Sequence, residues 1–218
     1  ERDDVFEAVH ALPLRLVREG WVDGLRVDHV DGQSRPGDYL QRLRESIRTA
    51  CAAGDRDPQA VSLHVEKILA EGEQLPDGWA CEGTTGYDFM DQTGAWLHDP
   101  AAAPALSRTW QALGGDPRSF DRIQQDARGM ILRQGLHADF QRLLRSAQQV
   151  LQPRLAEADI GLAALARALA SLLRHYRTYR PYSLQGAGER KALVDAAGAA
   201  REALDGAARA ALELLLQA

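Results

Sequence analysis

Two charged clusters stand where short hydrophobic runs give out, and each sets a carboxylate beside a basic group, the residue types of nucleophilic and acid–base chemistry. The first is GLRVDHVDG, Gly24 to Gly32, in which Arg26, Asp28 and His29 close an apolar run. The second is HVEKILAEGEQLP, His64 to Pro76, with Glu66 and Lys67 at the equivalent place. If each run is a strand, residues two apart share a face. Arg26 and Asp28 then take one side, Leu25 and Val27 the other, and His64 and Glu66 match the first pair on the later strand. Acids at the C-terminal ends of neighbouring parallel strands lie where an α/β barrel keeps its active site. An arginine two residues ahead favours the charged form of Asp28. Glu66, with more apolar support, is suited to hold a proton and donate it. One ionised and one protonated carboxyl about 5–5.5 Å apart are what a retaining glycosidase requires. Spacing alone leaves solvated rim groups and helix caps as competing readings.

The elements that must position these groups follow from periodicity. Val5, Val9, Leu12, Leu16 and Val17 recur at a helical period from Asp4 to Arg18, with Pro13 predicting a kink or restart and Gly20 a stop. Trp21 to Val27 is a strand candidate. SRPGDYLQRLRESIRTACAAG, with Tyr39, Leu40, Leu43 and Ile47 on one face, predicts a helix ending at Gly54. Val61 to Leu69 alternates cleanly as a second strand. Helix, strand, helix, strand in this order predicts parallel strands joined by crossover helices.

From Cys81 to Asp99 the chain carries a turn-rich GTTG and then apolar Phe89, Met90 and Trp96. Asp116-Pro117 is an N-cap and first-turn pair. Ile123, Ala127, Ile131, Phe140, Leu144 and Leu151 supply the core face of a long or broken helix, and Asp159 is placed to cap another reaching Leu173. HYRTYRPYS, from His175, turns aromatic and arginine-rich, which predicts a third strand and its exit loop. Ala187 to Ala218 reads as helical. The expected fold is α/β: a partial (β/α)₈ barrel of about three parallel strands with a large, mostly helical insertion. Residues 1–75 would carry the catalytic strands and helices, 76–172 the insertion, and 173–218 a further barrel strand and helix.

The composition excludes several classes. With 45% hydrophobic and 26% charged residues among 218, the chain has an ordinary globular balance. A net charge of -5 without a basic stripe gives no drive toward nucleic acid. No apolar run reaches eighteen residues, so no membrane helix is expected. Two cysteines, Cys51 and Cys81, stand in no metal or redox spacing and suit a reducing compartment. The six histidines, His10, His29, His64, His98, His137 and His175, form no ligand spacing. No metal or cofactor is expected, and a cytoplasmic location is. The chain begins at Glu1 without a methionine, which reads as part of a longer protein.

GLRVDHVDG resembles the strand-end motif of the α-amylase superfamily, glycoside hydrolase family 13, in which Arg-x-Asp precedes a histidine and the Asp is the nucleophile. HVEKILAEGEQLP followed by GTTGYDFM resembles a narrower branch, the maltooligosyltrehalose synthases. VFEAVHALPLRLVREGWVDGLRVDH and HYRTYRPY fit the same branch, so the resemblance covers nearly the whole chain. It implies a barrel enzyme that turns the reducing-end α-1,4 link of a maltooligosaccharide into an α,α-1,1 link, a (1→4)-α-D-glucan 1-α-D-glucosylmutase of trehalose biosynthesis. Asp28 would be the nucleophile and Glu66 the acid/base.

The resemblance implies further site residues. Arg26 and His29 would contact Asp28 or the sugar, and Lys67 would reach sugar hydroxyls or a neighbouring carboxylate, with a structural ion pair as the alternative. Tyr87 and Asp88 would line the acceptor side, with loop packing and capping as the alternative. Arg177 and Tyr179, on one strand face, would reach the same pocket or form a buried strand pair. Asp31 is read as a loop-ordering acid. The superfamily's second Asp, late in the barrel, and an early Asp/His motif have no counterpart here, so the fragment alone is expected to be inactive. His98-Asp99 is not that pair. Gln33, Ser34 and Arg35 before Pro36 depart from the family pattern. A maltooligosaccharide or α-1,4-glucan is the expected substrate, with hand-off to a trehalose-releasing hydrolase. An α-1,4-glucan hydrolase and a non-catalytic barrel piece are the rival readings.

Overall fold

Strict alternation builds the sheet. Val61, Leu63 and Val65 are fully buried, while Ser62, His64 and Glu66 between them are only partly covered. In the computed structural model, which describes residues 2–182 and 187–218, this run forms β2 (Ser62–Val65). It pairs in parallel with β1 (Gly24–Val27) and β3 (Gly83–Thr84), in the order β1-β2-β3. Parallel pairing needs long crossovers. The β1-to-β2 connection is α2 (Pro36–Ala53), and α1 (Asp3–Arg18) precedes β1. Their apolar faces cover one side of the sheet: Phe6, Val17, Leu40, Leu43, Ile47 and Cys51 join the buried strand residues, with Leu25 and Val27 packed against them. The other side carries Arg26 and His64, paired in register.

Two arginines lock this layer. Arg56 donates to the Val17 carbonyl at the end of α1 and, at 3.0 Å, to the Val22 carbonyl leading into β1. Arg44, buried in α2, donates to the Val61 carbonyl at 2.9 Å and reaches the Glu82 carboxylate at 2.6 and 2.7 Å. Glu82 also accepts the Leu63 N–H at 2.5 Å, which fastens the start of β3 to β2. Burial alone would push the Glu82 carboxyl up, but the Leu63 N–H and the Arg44 guanidinium outweigh it and leave the carboxyl below its ordinary range. Where α2 ends, a Cβ on Gly54 would stand 2.1 Å from the Arg18 carbonyl oxygen, so only glycine lets the two helices meet there.

Helices follow: α3 (Tyr87–Trp96), α4 (Ala103–Ala112), α5 (Phe120–Arg133), α6 (His137–Glu157), α7 (Leu162–His175), α8 (Ala187–Ala203) and α9 (Gly206–Leu216). The chain divides into two compact units: Glu1–Pro100 with Thr178–Gly188, and Ala101–Arg177 with Glu189–Ala218. In the second, Leu144, Leu151 and Leu155 of α6, Leu165 and Leu169 of α7, Ala200 of α8 and Leu212 of α9 share one core.

The α/β class with three parallel strands stands, but the third strand is not where it was expected. It is Gly83–Thr84, inside GTTG. HYRTYRPYS is no strand over 175–182; Ser183 lies outside the described residues. Helix α7 runs through His175, and Arg128 donates to the Arg174 and Tyr176 carbonyls at 3.2 and 2.7 Å, consuming the helix-end acceptors. Further differences are local. α1 passes through Pro13 without a restart. α5 is capped by Ser119, whose Oγ accepts the Arg122 N–H. Asp116 instead accepts the Arg118 guanidinium and N–H, which hold its carboxyl down to about 2. Asp159 does not cap α7, whose N-cap is Gly161. The long helix predicted over Ile123 to Leu151 breaks between Arg133 and His137, at Gly135.

Candidate active site

The ladder continues one residue past the strand ends. Val27 accepts the Glu66 N–H at 2.7 Å, and Val65 accepts the Thr85 N–H at 3.0 Å. Because Arg26 pairs with His64, and His64 with Gly83, the next position on that face aligns Asp28, Glu66 and Thr85. Neighbouring strands run about 4.8 Å apart, the scale on which two carboxyls flank a glycosidic bond in a retaining enzyme. Continued one step past Val27 and Val65, the register brings Asp28 and Glu66 to neighbouring strand ends.

Arg26 donates from Nη1 to Asp28 Oδ1 at 2.6 Å and from Nε to Thr85 Oγ1 at 3.2 Å. The pair is open, with side chains 48% and 72% exposed. Glu66 is half-buried, more enclosed than Asp28, and its Oε2 accepts the His29 backbone N–H at 2.9 Å. That bond ties the residue after Asp28 to the carboxylate just past the end of β2.

His29 has φ 45 and ψ 51, a left-handed conformation that costs a side-chain-bearing residue about 1–2 kcal/mol. Two contacts hold it: the Glu66 carboxylate on its N–H, and its carbonyl accepting the Gly32 N–H at 2.9 Å. A Cβ on Gly32 would lie 2.9 Å from His29 Nδ1, so the glycine makes room for the ring. DHVDG is thus a tight turn that ends with the Asp28 side chain exposed and the His29 N–H turned to the acid.

Lys67 does not face this rim. It is buried, with Nζ 2.9 Å from Glu73 Oε1 and 5.4 Å from the Tyr182 ring centre. The distance makes this an ion pair although the angle is not that of a hydrogen bond. Parity explains the turn inward, because Lys67 follows Glu66 and takes the opposite face. This buried contact is the structural ion pair that stood as the alternative reading of Lys67.

Glu73 also accepts the Ala70 N–H at 2.8 Å, closing the loop after β2. Asp31 lies near the same cation: Tyr182 donates its hydroxyl to Asp31 Oδ1, while burial pushes the Asp31 carboxyl up against the pull of Lys67. Arg180 donates to the carbonyls of Asp31 and Gln33 at 2.5 Å and of Ser34 at 2.9 Å. Asp31 orders its loop, as read from sequence, and the loop that departs from the family pattern is the one held by Arg180.

The remaining expected residues divide. Asp88 accepts the Thr84 hydroxyl and sits in the first turn of α3, with Tyr87 half-buried beside it. That contact ties Asp88 back to the end of β3 and does not cap the helix. Arg177 belongs to the second compact unit, where it lies 3.5 Å from Asp121. Tyr179 is 73% exposed. Neither the shared strand face nor the buried strand pair exists for these two, since the segment is not a strand. Arg180 and Tyr182, which sequence reasoning passed over, make the contacts instead. No periodic signal could have chosen them, because the segment has no regular period. Thr85 was also missed, although its place in GTTG, one step past an unrecognised strand, was the available signal. Among the described residues no group of His, Cys, Asp and Glu could hold a metal ion, and no helix is long and apolar enough to cross a membrane.

No family model matches the chain. Two Mycobacterium tuberculosis proteins, from strains CDC 1551 and H37Rv, provisionally named maltooligosyl trehalose synthase, are 35% identical over 176 residues. That match takes in 81% of this chain and 21% of theirs. The solved maltooligosyltrehalose synthase of Arthrobacter ramosus superposes with a TM-score of 0.73 at 32% identity, over 97% of this chain and 25% of that one. A solved glycosyltrehalose synthase, DSM5389, shares the fold at a TM-score of 0.58 and 23% identity, over 99% of this chain and 26% of its own. The chain thus spans about a fifth to a quarter of the relatives it matches.

Proposed function

We propose that this chain, a segment with the sequence and fold of maltooligosyltrehalose synthases, carries the nucleophile and the acid/base of an intramolecular transglucosylase. The observation that carries the reading is at the strand ends: Asp28 and Glu66 directly follow Val27 and Val65, which pair on neighbouring parallel strands, and the His29 N–H is bonded to Glu66. The activity belongs to a longer protein, of which this sheet is one arc of a (β/α)₈ barrel carrying a large, mostly helical insertion.

In the proposed reaction Asp28 attacks the anomeric carbon at the reducing-end α-1,4 link, and Glu66 protonates the departing glycosidic oxygen. The glycosyl unit is then an ester of Asp28. The released glucose stays, turns, and presents its own anomeric hydroxyl; Glu66 takes that proton as the new bond forms and the ester breaks. Two inversions give net retention, hence an α,α-1,1 link. Water must be kept out while the acceptor turns, a role suited to GTTGYDFM and the helical insertion. Arg26 and His29 border the nucleophile, with Tyr87 and Asp88 beside the acceptor. A cytoplasmic location and transfer of the product to a trehalose-releasing hydrolase belong to the same reading.

The test is to incubate the full open reading frame encoding this chain with maltopentaose. A non-reducing product of unchanged length is expected. Rising reducing ends would make the protein an α-1,4-glucan hydrolase, and no change at all would leave a non-catalytic barrel piece. Opening the turn between β3 and α3 within GTTGYDFM should raise hydrolysis relative to transfer; an unchanged ratio would remove that segment's role in excluding water.

A further inference from the structure

The row at the sheet's C-terminal edge has a third member that the two-carboxylate mechanism leaves without a task. The last paired residues are Val27 with Val65 and Val65 with Thr84, so one step on Thr85 comes beside Glu66, and Glu66 beside Asp28. Its backbone is held on both sides: the N–H donates to Val65 at 3.0 Å, and the carbonyl accepts the Tyr87 N–H at 2.9 Å. Gly86 then turns left-handed, at φ 73, into α3. Thr84, the preceding residue, gives its hydroxyl to Asp88 and locks that turn. The Thr85 hydroxyl is therefore placed by the sheet and not by a mobile loop, and a β-branched side chain is stiff about its first torsion.

Arg26 is the opposite case, a long and exposed side chain with many rotamers. Its guanidinium reaches from the first strand, past the end of the second, to the third: Nη1 on Asp28 at 2.6 Å and Nε on Thr85 Oγ1 at 3.2 Å. With both ends engaged, the planar fork has one orientation, and so has the carboxylate oxygen it binds. We infer that Thr85 is a positioning residue for the reaction proposed above, holding Arg26 so that Asp28 stays aimed at the anomeric carbon. The inference rests on that reading. Thr85 exchanges no proton and forms no bond to substrate in this role; it acts through the arginine.

The experiment uses the full open reading frame, with kcat and KM measured for maltopentaose conversion. T85V keeps the shape and removes the acceptor, whereas T85S keeps the acceptor. T85V should lower kcat about 10- to 100-fold, as expected for a misaimed reacting group, with KM and the denaturation midpoint nearly unchanged. T85S should recover most of the rate. In an R26Q background T85V should cause no further loss, because the arginine through which it acts is gone; this comparison also serves if T85V alone folds poorly. Parental kcat in T85V, failure of T85S to recover, or fully additive losses would each overturn the inference while leaving the transglucosylase reading intact. An inactive parent chain would overturn both.

Discussion

Two cation–carboxylate pairs lie at the strand ends proposed as catalytic, and they differ in nearly everything except chemistry. Arg26 and Asp28 lie on the open face, with side chains 48% and 72% exposed. Lys67 and Glu73 lie behind it, at 0% and 11%. An exposed pair contributes little to stability because water competes for both ions, so its groups are free to meet a substrate. A buried pair has already lost its water, and removing either ion leaves the other stranded. Exposure, not residue type, separates a group available for chemistry from one that organises loops.

The contrast can be broken most severely on the open side. D28N and E66Q should each lower transglucosylation by the full open reading frame about 10³-fold or more, with the denaturation midpoint close to the parent's. Persisting turnover in either variant would remove that residue from the mechanism. On the buried side, K67M should cost about 3–5 kcal/mol of unfolding free energy, read by equilibrium denaturation. K67M/E73L, which removes both charges, should regain most of that. A K67M protein as stable as the parent would mean that the pair is solvated and the contrast false.

A pH series sharpens the comparison at an intermediate pair, Glu82 with Arg44. The folded carboxyl sits below its ordinary range, so it stabilises the fold above the unfolded value of about 4.3. That contribution is lost as pH falls through the lowered folded value. E82Q should reduce stability at neutral pH and flatten the acid loss; an unchanged acid slope would contradict the assignment. The smallest expected effect is R26Q on stability, below about 1 kcal/mol, although it should strongly depress activity. A large stability loss there would mean that the open pair holds the fold as the buried one does.

What could be read in the linear chain follows from period-two and period-3.6 patterns. Val61, Leu63 and Val65 announce a strand and its buried face, and the parity of Arg26 with Asp28 and of His64 with Glu66 places them on the other face. Those patterns also carry α1, α2 and the placing of the two acids at strand ends. β3 was not legible: two residues, one of them a glycine, have no period, and Gly83–Thr84 is a strand because Glu82, clamped by Arg44, lays it along β2. HYRTYRPY misled in the opposite direction, since its aromatic composition suits a strand while Arg128 ends α7 there.

The division comes down to range. Local periodicity and motif chemistry determined the parallel α/β class, the face of each strand, and Asp28 and Glu66 as a carboxyl pair. Tertiary structure decided the register that aligns those acids, the addition of Thr85 to their row, and the inward turn of Lys67 to Glu73. It also decided that Arg180 and Tyr182, and not Arg177 and Tyr179, would bind the loop at Asp31. Each of those outcomes depends on a partner many residues away, a contact that no short-range pattern encodes.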